Sequence, residues 1–158
     1  MTVHAPFHPP QRVLMGPGPS PIDDRVMRAL AAPVIGHLDP RFLECMEEVQ
    51  TLLRFVFETA NPMTLPISAT GSGGMEAALV NLIEPGDTVA VGLNGYFGGR
   101  LAEMAGRLGG EVVGVEADWG LPIATDQVVQ ALETSGARIF CLVHAETSTG
   151  VLQPLEGL

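Results

Sequence analysis

Apolar positions along this chain keep two different periods, and the switch between them recurs. The clearest helical stripe is Phe42, Met46, Val49, Leu53 and Val56, at steps of four, three, four and three, which lines up one face of an α-helix. Asp39 is placed to cap it and Pro40 to occupy its first position. A shorter helix is predicted over Arg25–Ala31, with Asp23 and Asp24 at its start. Before it, residues 1–21 read as an extended arm, since prolines at 17, 19 and 21 favour β or polyproline backbone.

From residue 64 onward, short apolar runs alternate with helical patterns. "TLPIS" (64–68), "TVAVGL" (88–93), "EVVGVE" (111–116) and "ARIFCLVH" (137–144) read as strands. Between them lie predicted helices over Ser72–Ile83, with Met75, Leu79, Leu82 and Ile83 on one face, and over Tyr96–Leu108, with Leu101, Met104, Ala105 and Leu108 inward. A third, capped by Thr125, carries Val128, Val129 and Leu132. "EPGD" is a turn and "DWGLPI" a loop. Strands separated by helices of this length imply a mainly parallel sheet in a three-layer α/β/α sandwich. The near-continuous apolar run of the last strand implies cover on both faces. The expected organisation is an arm over 1–21 and one α/β domain over 22–158. "PLEGL" begins what reads as another helix, so the domain is expected to be incomplete.

Composition narrows the chemistry. The chain has 158 residues, 46% hydrophobic and 16% charged, enough for one domain with a core. Eight arginines face eighteen carboxylates for a net charge of −10, with no basic run. That argues against nucleic acid and against anionic membrane surfaces as partners. No apolar run approaches the ~20 residues of a spanning helix, and the N-terminus shows no secretory core. Cys45 and Cys141 have no CxxC partner and read as reduced core cysteines of a cytoplasmic protein; no metal site is expected. There is no lysine.

The segment "PISATGSGGMEAAL" places glycines 71, 73 and 74 with Thr70 and Ser72 where a strand hands over to a helix. A helix N-terminus there offers free N–H groups and partial positive charge to an anion. Commoner motifs do not fit. A P-loop needs Gly-Lys-Ser/Thr, GxGxxG needs glycine at Glu76, and GxSxG needs glycine at Thr70. A generic anion loop and a glycine-rich turn packed on the sheet both remain. Two more strand ends follow. "GLNGYFGGR" offers Tyr96 and Phe97, and "HAETSTG" offers hydroxyls at 147, 148 and 149. Together they suit a flat, phosphorylated heteroaromatic ligand; singly, Phe97 could be core and Thr147–Thr149 a capping turn.

"MGPGPSP", "GHLDPRF", "SATGSGGMEAALVNLIEPGD", "VGLNGYFGGR" and "HAETSTGVLQPL", in this order and spacing, resemble the class V, fold-type I aminotransferases, in particular the alanine–glyoxylate and serine–pyruvate branch. The resemblance runs from about Leu14 to the last residue. It implies a homodimeric enzyme dependent on pyridoxal 5′-phosphate that moves an amino group from alanine or serine to glyoxylate or pyruvate. Thr70, Gly71 and Ser72 match the phosphate-holding positions. Phe97 matches the aromatic stacked on the cofactor ring, commonly tryptophan in this branch. Thr147 matches a hydroxyl residue at the ring oxygen. Gly18 and Pro19, within the Gly16–Ser20 arm, match positions near the substrate and the partner subunit. Ala69 stands where many members have glycine. The family's cofactor-holding lysine has no counterpart here, and arginine cannot replace it because its guanidinium stays protonated. No catalytic residue is therefore assigned, and the 158 residues alone are expected to be inactive. Two alternatives are a non-catalytic homologue serving as a dimerising scaffold and a flavodoxin-like module binding FMN.

Overall fold

The computed structural model describes residues 5–158; Met1–His4 of the expected arm lie outside the described residues. The chain falls into two units, one running to Thr64 and the other over Leu65–Leu158.

In the first unit, residues 5–23 carry neither helix nor strand. Helix α1 spans Asp24–Leu30, one residue earlier than expected, because the Asp23 side chain takes the Arg25 amide as N-cap. Helix α2 spans Pro40–Val56, capped by Asp39 with proline at its start. Phe42, Met46, Val49 and Leu53 are half-buried, as the stripe predicts, whereas Val56 is exposed at the fraying last turn. Cys45 is also exposed, which corrects its reading as a core cysteine; it lies on the flank of the stripe.

The second unit holds the sheet. Its elements are α3 (Gly71–Val80), β1 (Thr88–Leu93), α4 (Tyr96–Arg107), β2 (Glu111–Glu116), α5 (Thr125–Ser135), β3 (Ile139–Cys141), β4 (Ala145–Glu146) and β5 (Val151–Leu152). The sheet order is β2-β1-β3, all parallel, with Thr88–Leu93 facing Glu111–Glu116 and Val89–Val91 facing Ile139–Cys141. From β1 the chain steps one way to β2 through α4, then back across β1 to β3 through α5. Crossovers of the same hand in opposite directions place their helices on opposite faces. The side chains of β1 record this. Val89 and Val91 pack with Leu79, Ile83, Leu101, Met104 and Ala105 of the α3–α4 side, while Ala90 packs with Val115, Ile123 and Val128 of the α5 side. Val89, Ala90 and Val91 are wholly buried. Such burial contributes about 1.5–3 kcal/mol for each valine or larger apolar side chain. The three-layer arrangement is thus the expected one.

Several expected boundaries differ. Residues 64–68 form no strand. A strand is a pairing, this segment pairs with no described strand, and Pro66 lacks a donor. The run 137–144 is a strand only over Ile139–Cys141, since β3 pairs with β1 alone. Helix α3 stops at Val80, so Leu82 is exposed while Ile83 stays in the core. Helix α4 ends one residue early, at Arg107. Ala124, not Thr125, is the N-cap of α5 and has no polar side chain to cap with; Gln127 Oε1 accepts from the Ala124 amide, the reverse half of a capping box. "EPGD" is the expected turn, closed by Asp87 N–H to the Glu84 carbonyl and Glu84 N–H to the Asp87 carboxylate. Among the described residues, no helix is long and apolar enough to cross a membrane.

Candidate cofactor site

Three segments at the carboxyl ends of the parallel strands or at a helix start carry the candidate residues. Thr70 is the N-cap of α3, in extended backbone. Its carbonyl accepts from the amides of Gly73 and Gly74, at 2.9 and 3.2 Å. The preceding amides, Gly71 and Ser72, have no partner among the described residues, and the Thr70 hydroxyl makes no capping bond. Two N–H groups and two hydroxyls, of Thr70 and Ser72, therefore stay available at the positive end of a ten-residue helix. The entry is tight. A Cβ on Gly73 would meet Ala69 Cβ at 2.6 Å, so the methyl at 69 is accommodated because 73 is glycine. Thr70, Ser72 and Gly73 share a cleft of about 330 Å³ with Glu76 of their own helix and Arg100, Met104 and Arg107 of α4.

The second segment is the start of α4, and its electrostatics are the reverse. Phe97 is half-buried and belongs to neither core cluster; its ring meets Tyr96 edge-on with centroids 5.3 Å apart. The first amides of this helix are all taken. Tyr96 N–H donates to Ser148 Oγ (2.9 Å), and the amides of Phe97 and Gly98 donate to Glu146 Oε2 (3.0 and 3.2 Å). Glu146 is completely buried. Burial alone pushes its carboxyl up. Bonds from the Ser148 hydroxyl and amide and from the Gly98 and Phe97 amides outweigh that and hold it below its ordinary value. Its position depends on Gly95, where a Cβ would meet Glu146 Cδ at 2.5 Å and Oε2 at 2.8 Å.

The third segment is the turn between β4 and β5, an antiparallel hairpin absent from the sequence reading. The Glu146 carbonyl accepts from the Thr149 and Gly150 amides, closing the turn. Capping by hydroxyls holds for Ser148; Thr147 is exposed and its hydroxyl has no partner among the described residues. The structure thus joins the Phe97 and Thr147 segments through Glu146 and Ser148, and sets Thr70 and Ser72 across a cleft from α4. Phe97 and Thr147 do not line that cleft. Gly18 and Pro19 are exposed in the first unit.

Three buried polar residues were missed by sequence reasoning. Besides Glu146, Gln153 grips the Ile123 backbone at both its amide and its carbonyl, each at 2.9 Å. Asn94 donates to the Leu121 carbonyl at 3.1 Å, while its own Oδ1 is buried without a partner. Both pin the loop after β2. The available signal was polar side chains inside or just after strand runs, "GLN", "HAE" and "VLQP", but a side chain two to four residues from a turn is equally at home in solvent.

A helix N-terminus left open for an anion, an aromatic beside a second N-terminus closed from within, and a free hydroxyl on an adjoining turn sit on one parallel α/β sheet. The chain matches the family described as aminotransferase class-V over residues 15–158, and it belongs to that family, whose members use pyridoxal 5′-phosphate. Among solved structures it is similar to an alanine–glyoxylate aminotransferase from Nostoc sp., at 48% identity and a TM-score of 0.94, covering 99% of this chain and 41% of that one. It is also similar to a ureidoglycine–glyoxylate aminotransferase from Bacillus subtilis, at 38% identity and a TM-score of 0.91, covering 95% and 39%. The alanine–glyoxylate aminotransferase of Drosophila melanogaster is 40% identical over 153 residues, which is 97% of this chain and 39% of the fly protein. The chain therefore spans about two fifths of the length of these relatives.

Proposed function

We propose that this chain holds pyridoxal 5′-phosphate as part of an aminotransferase that moves an amino group from alanine or serine to glyoxylate or pyruvate. The carrying observation is the contrast between the two helix starts. Helix α4 has its first amides satisfied by a buried carboxylate and a serine, whereas α3 keeps the Gly71 and Ser72 amides and the Thr70 hydroxyl free. A dianion is repelled from the first and attracted to the second.

When bound, the cofactor supplies an electron sink for the bond broken at the substrate's α-carbon. The chain's residues bind and orient it. Gly71, Ser72 and Thr70 would hold the phosphate, Phe97 would supply an aromatic face to the ring, with less area than the tryptophan common in this branch, and Thr147 would supply a hydroxyl to the ring oxygen. Gly18 and Pro19 are assigned to the substrate side. The chain has no lysine, so its own grip on the cofactor is non-covalent. Likeness to glyoxylate aminotransferases supports an amino acid and a 2-oxo acid as substrates. A homodimer is supported by exposed apolar side chains of the first unit, Val34, Phe55 and Phe57 among them. A cytoplasmic location is supported by two free cysteines. Nothing in the fold or among the relatives favours the scaffold or the FMN module.

Gly71→Pro tests the phosphate grip. Position 71 is the first of the helix, where proline is tolerated, and Thr70 already has the extended backbone that a following proline requires. The variant loses one free N–H and keeps the helix. Titration with pyridoxamine 5′-phosphate is expected to show affinity about tenfold weaker at unchanged thermal stability. Unchanged affinity would remove α3 from the site. Alanine–glyoxylate turnover by the intact protein checks the reaction.

A further inference from the structure

The buried carboxylate between Phe97 and Thr147 has a division of labour that the family assignment does not explain. Its two oxygens serve different segments. Oε2 accepts from the Phe97 and Gly98 amides of α4, and Oε1 accepts from the Ser148 amide (3.1 Å) and hydroxyl (2.6 Å) of the β4–β5 turn. The Ser148 oxygen then returns to α4 by accepting the Tyr96 amide at 2.9 Å, so a closed ring of bonds joins the two segments. Among the described residues Glu146 has no cationic partner, and its charge is balanced by the α4 N-terminus and the amides of the turn. Burying an ion is costly unless its acceptor sites are filled. Here four donors fill them, and the ring that results is short, charge-assisted and rigid. Gly95 gives up its side chain to make room for the carboxylate.

We propose that Glu146 is a positioning residue of the cofactor site: by clamping the first turn of α4 to the β4–β5 turn, it fixes the Phe97 ring and the Thr147 hydroxyl relative to one another. The proposal rests on the aminotransferase reading above. The two residues it holds come from distant parts of the chain, and neither carries another bond that would fix their spacing. Phe97 is tied by its own amide to Oε2, and Thr147 lies between the two residues, Glu146 and Ser148, that make the clamp.

Glutamine separates the two halves of the device. Its single carbonyl oxygen must face the Phe97 and Gly98 amides, which can only donate. Its NH2 then meets the Ser148 amide, also a donor, and can keep at most a bond to the Ser148 hydroxyl oxygen, so the turn loses its amide tie while α4 stays capped. In the intact protein, Glu146→Gln is expected to weaken pyridoxamine 5′-phosphate binding by about tenfold and to reduce the visible circular dichroism of bound cofactor. Hydrogen exchange should quicken at Ser148 and stay slow at Phe97 and Gly98. Ser148→Ala removes an exposed hydroxyl and keeps the carboxylate on α4. It is expected to weaken binding by about threefold and decides the matter alone should Glu146→Gln not fold. Val128→Ala, a core change on α5 and on the other face of the sheet, controls for lost stability. Binding within about twofold of wild type in both site variants, or an equal loss in Val128→Ala, overturns the positioning role. Wild-type protein that takes up no cofactor overturns instead the reading on which it rests.

Discussion

Gly95→Ala and Gly99→Ala make the same chemical change four residues apart on one helix, with opposite expected signs. Gly95 has nearly fully extended backbone that any residue adopts, so the change there is purely steric. The added Cβ would meet Glu146 Cδ at 2.5 Å and Oε2 at 2.8 Å, closer than real contacts allow. Glu146 cannot swing aside cheaply, because it is completely buried and bonded at both oxygens. Overpacking costs about 1–3 kcal/mol, and each lost bond to a charged group about 1.5–3 kcal/mol. A net cost of about 3 kcal/mol follows for Gly95→Ala. For a chain of this size that is a fall of about 6–12 °C in Tm. At Gly99, inside α4 and exposed, a Cβ meets nothing within 4 Å. Alanine there should stabilise by about 0.5–1 kcal/mol through lower unfolded-state entropy. Urea unfolding and thermal melts of the two variants and wild type measure both. Two variants within about 0.5 kcal/mol of each other would refute the packing of Glu146 against Gly95.

Further outcomes follow from the same contacts. Glu146 has its folded pKa below its ordinary value of 4.5, so it contributes stability that is present above that value and fades as pH falls through the lower folded value. Urea unfolding across pH 5 to pH 3 should show a shallower acid loss in Glu146→Gln than in wild type, by up to about one proton; equal slopes would contradict this. Leu79→Ala, at a buried core position, should cost about 2–5 kcal/mol, while Leu82→Ala, 62% exposed, should stay within about 0.5 kcal/mol. In a thiol assay, exposed Cys45 should react in the native protein. Cys141, buried and with its thiol pushed up by burial, should react only after unfolding; two fast thiols would place Cys141 outside the core.

The α/β alternation, and with it the positions of α3 and α4, was legible because hydrophobic period is a local property. "TVAVGL", "EVVGVE" and the stripes of Leu101, Met104 and Ala105 announce their elements wherever the chain goes. The glycine- and hydroxyl-rich helix start at Thr70–Ser72 was legible for the same reason, since such residues act on their nearest backbone. Strand identity was not. "TLPIS" and the ends of "ARIFCLVH" have strand-like composition, but a strand exists only where another edge pairs with it, and that is decided by the order β2-β1-β3. Cys45 and Val56 failed similarly, because a stripe shows which face is apolar without showing how far cover extends.

By its own residues the sequence determined the three-layer alternation and the run of glycines and hydroxyls at the start of α3. Only the tertiary structure decided that Glu146, forty-nine residues from Phe97 in the chain, closes the other N-terminus and leaves α3 as the anion-seeking one. The physical reason is reach. A helix cap made by a neighbour can be read from spacing, but a carboxylate carried in by a later strand must first be brought to the helix by the fold.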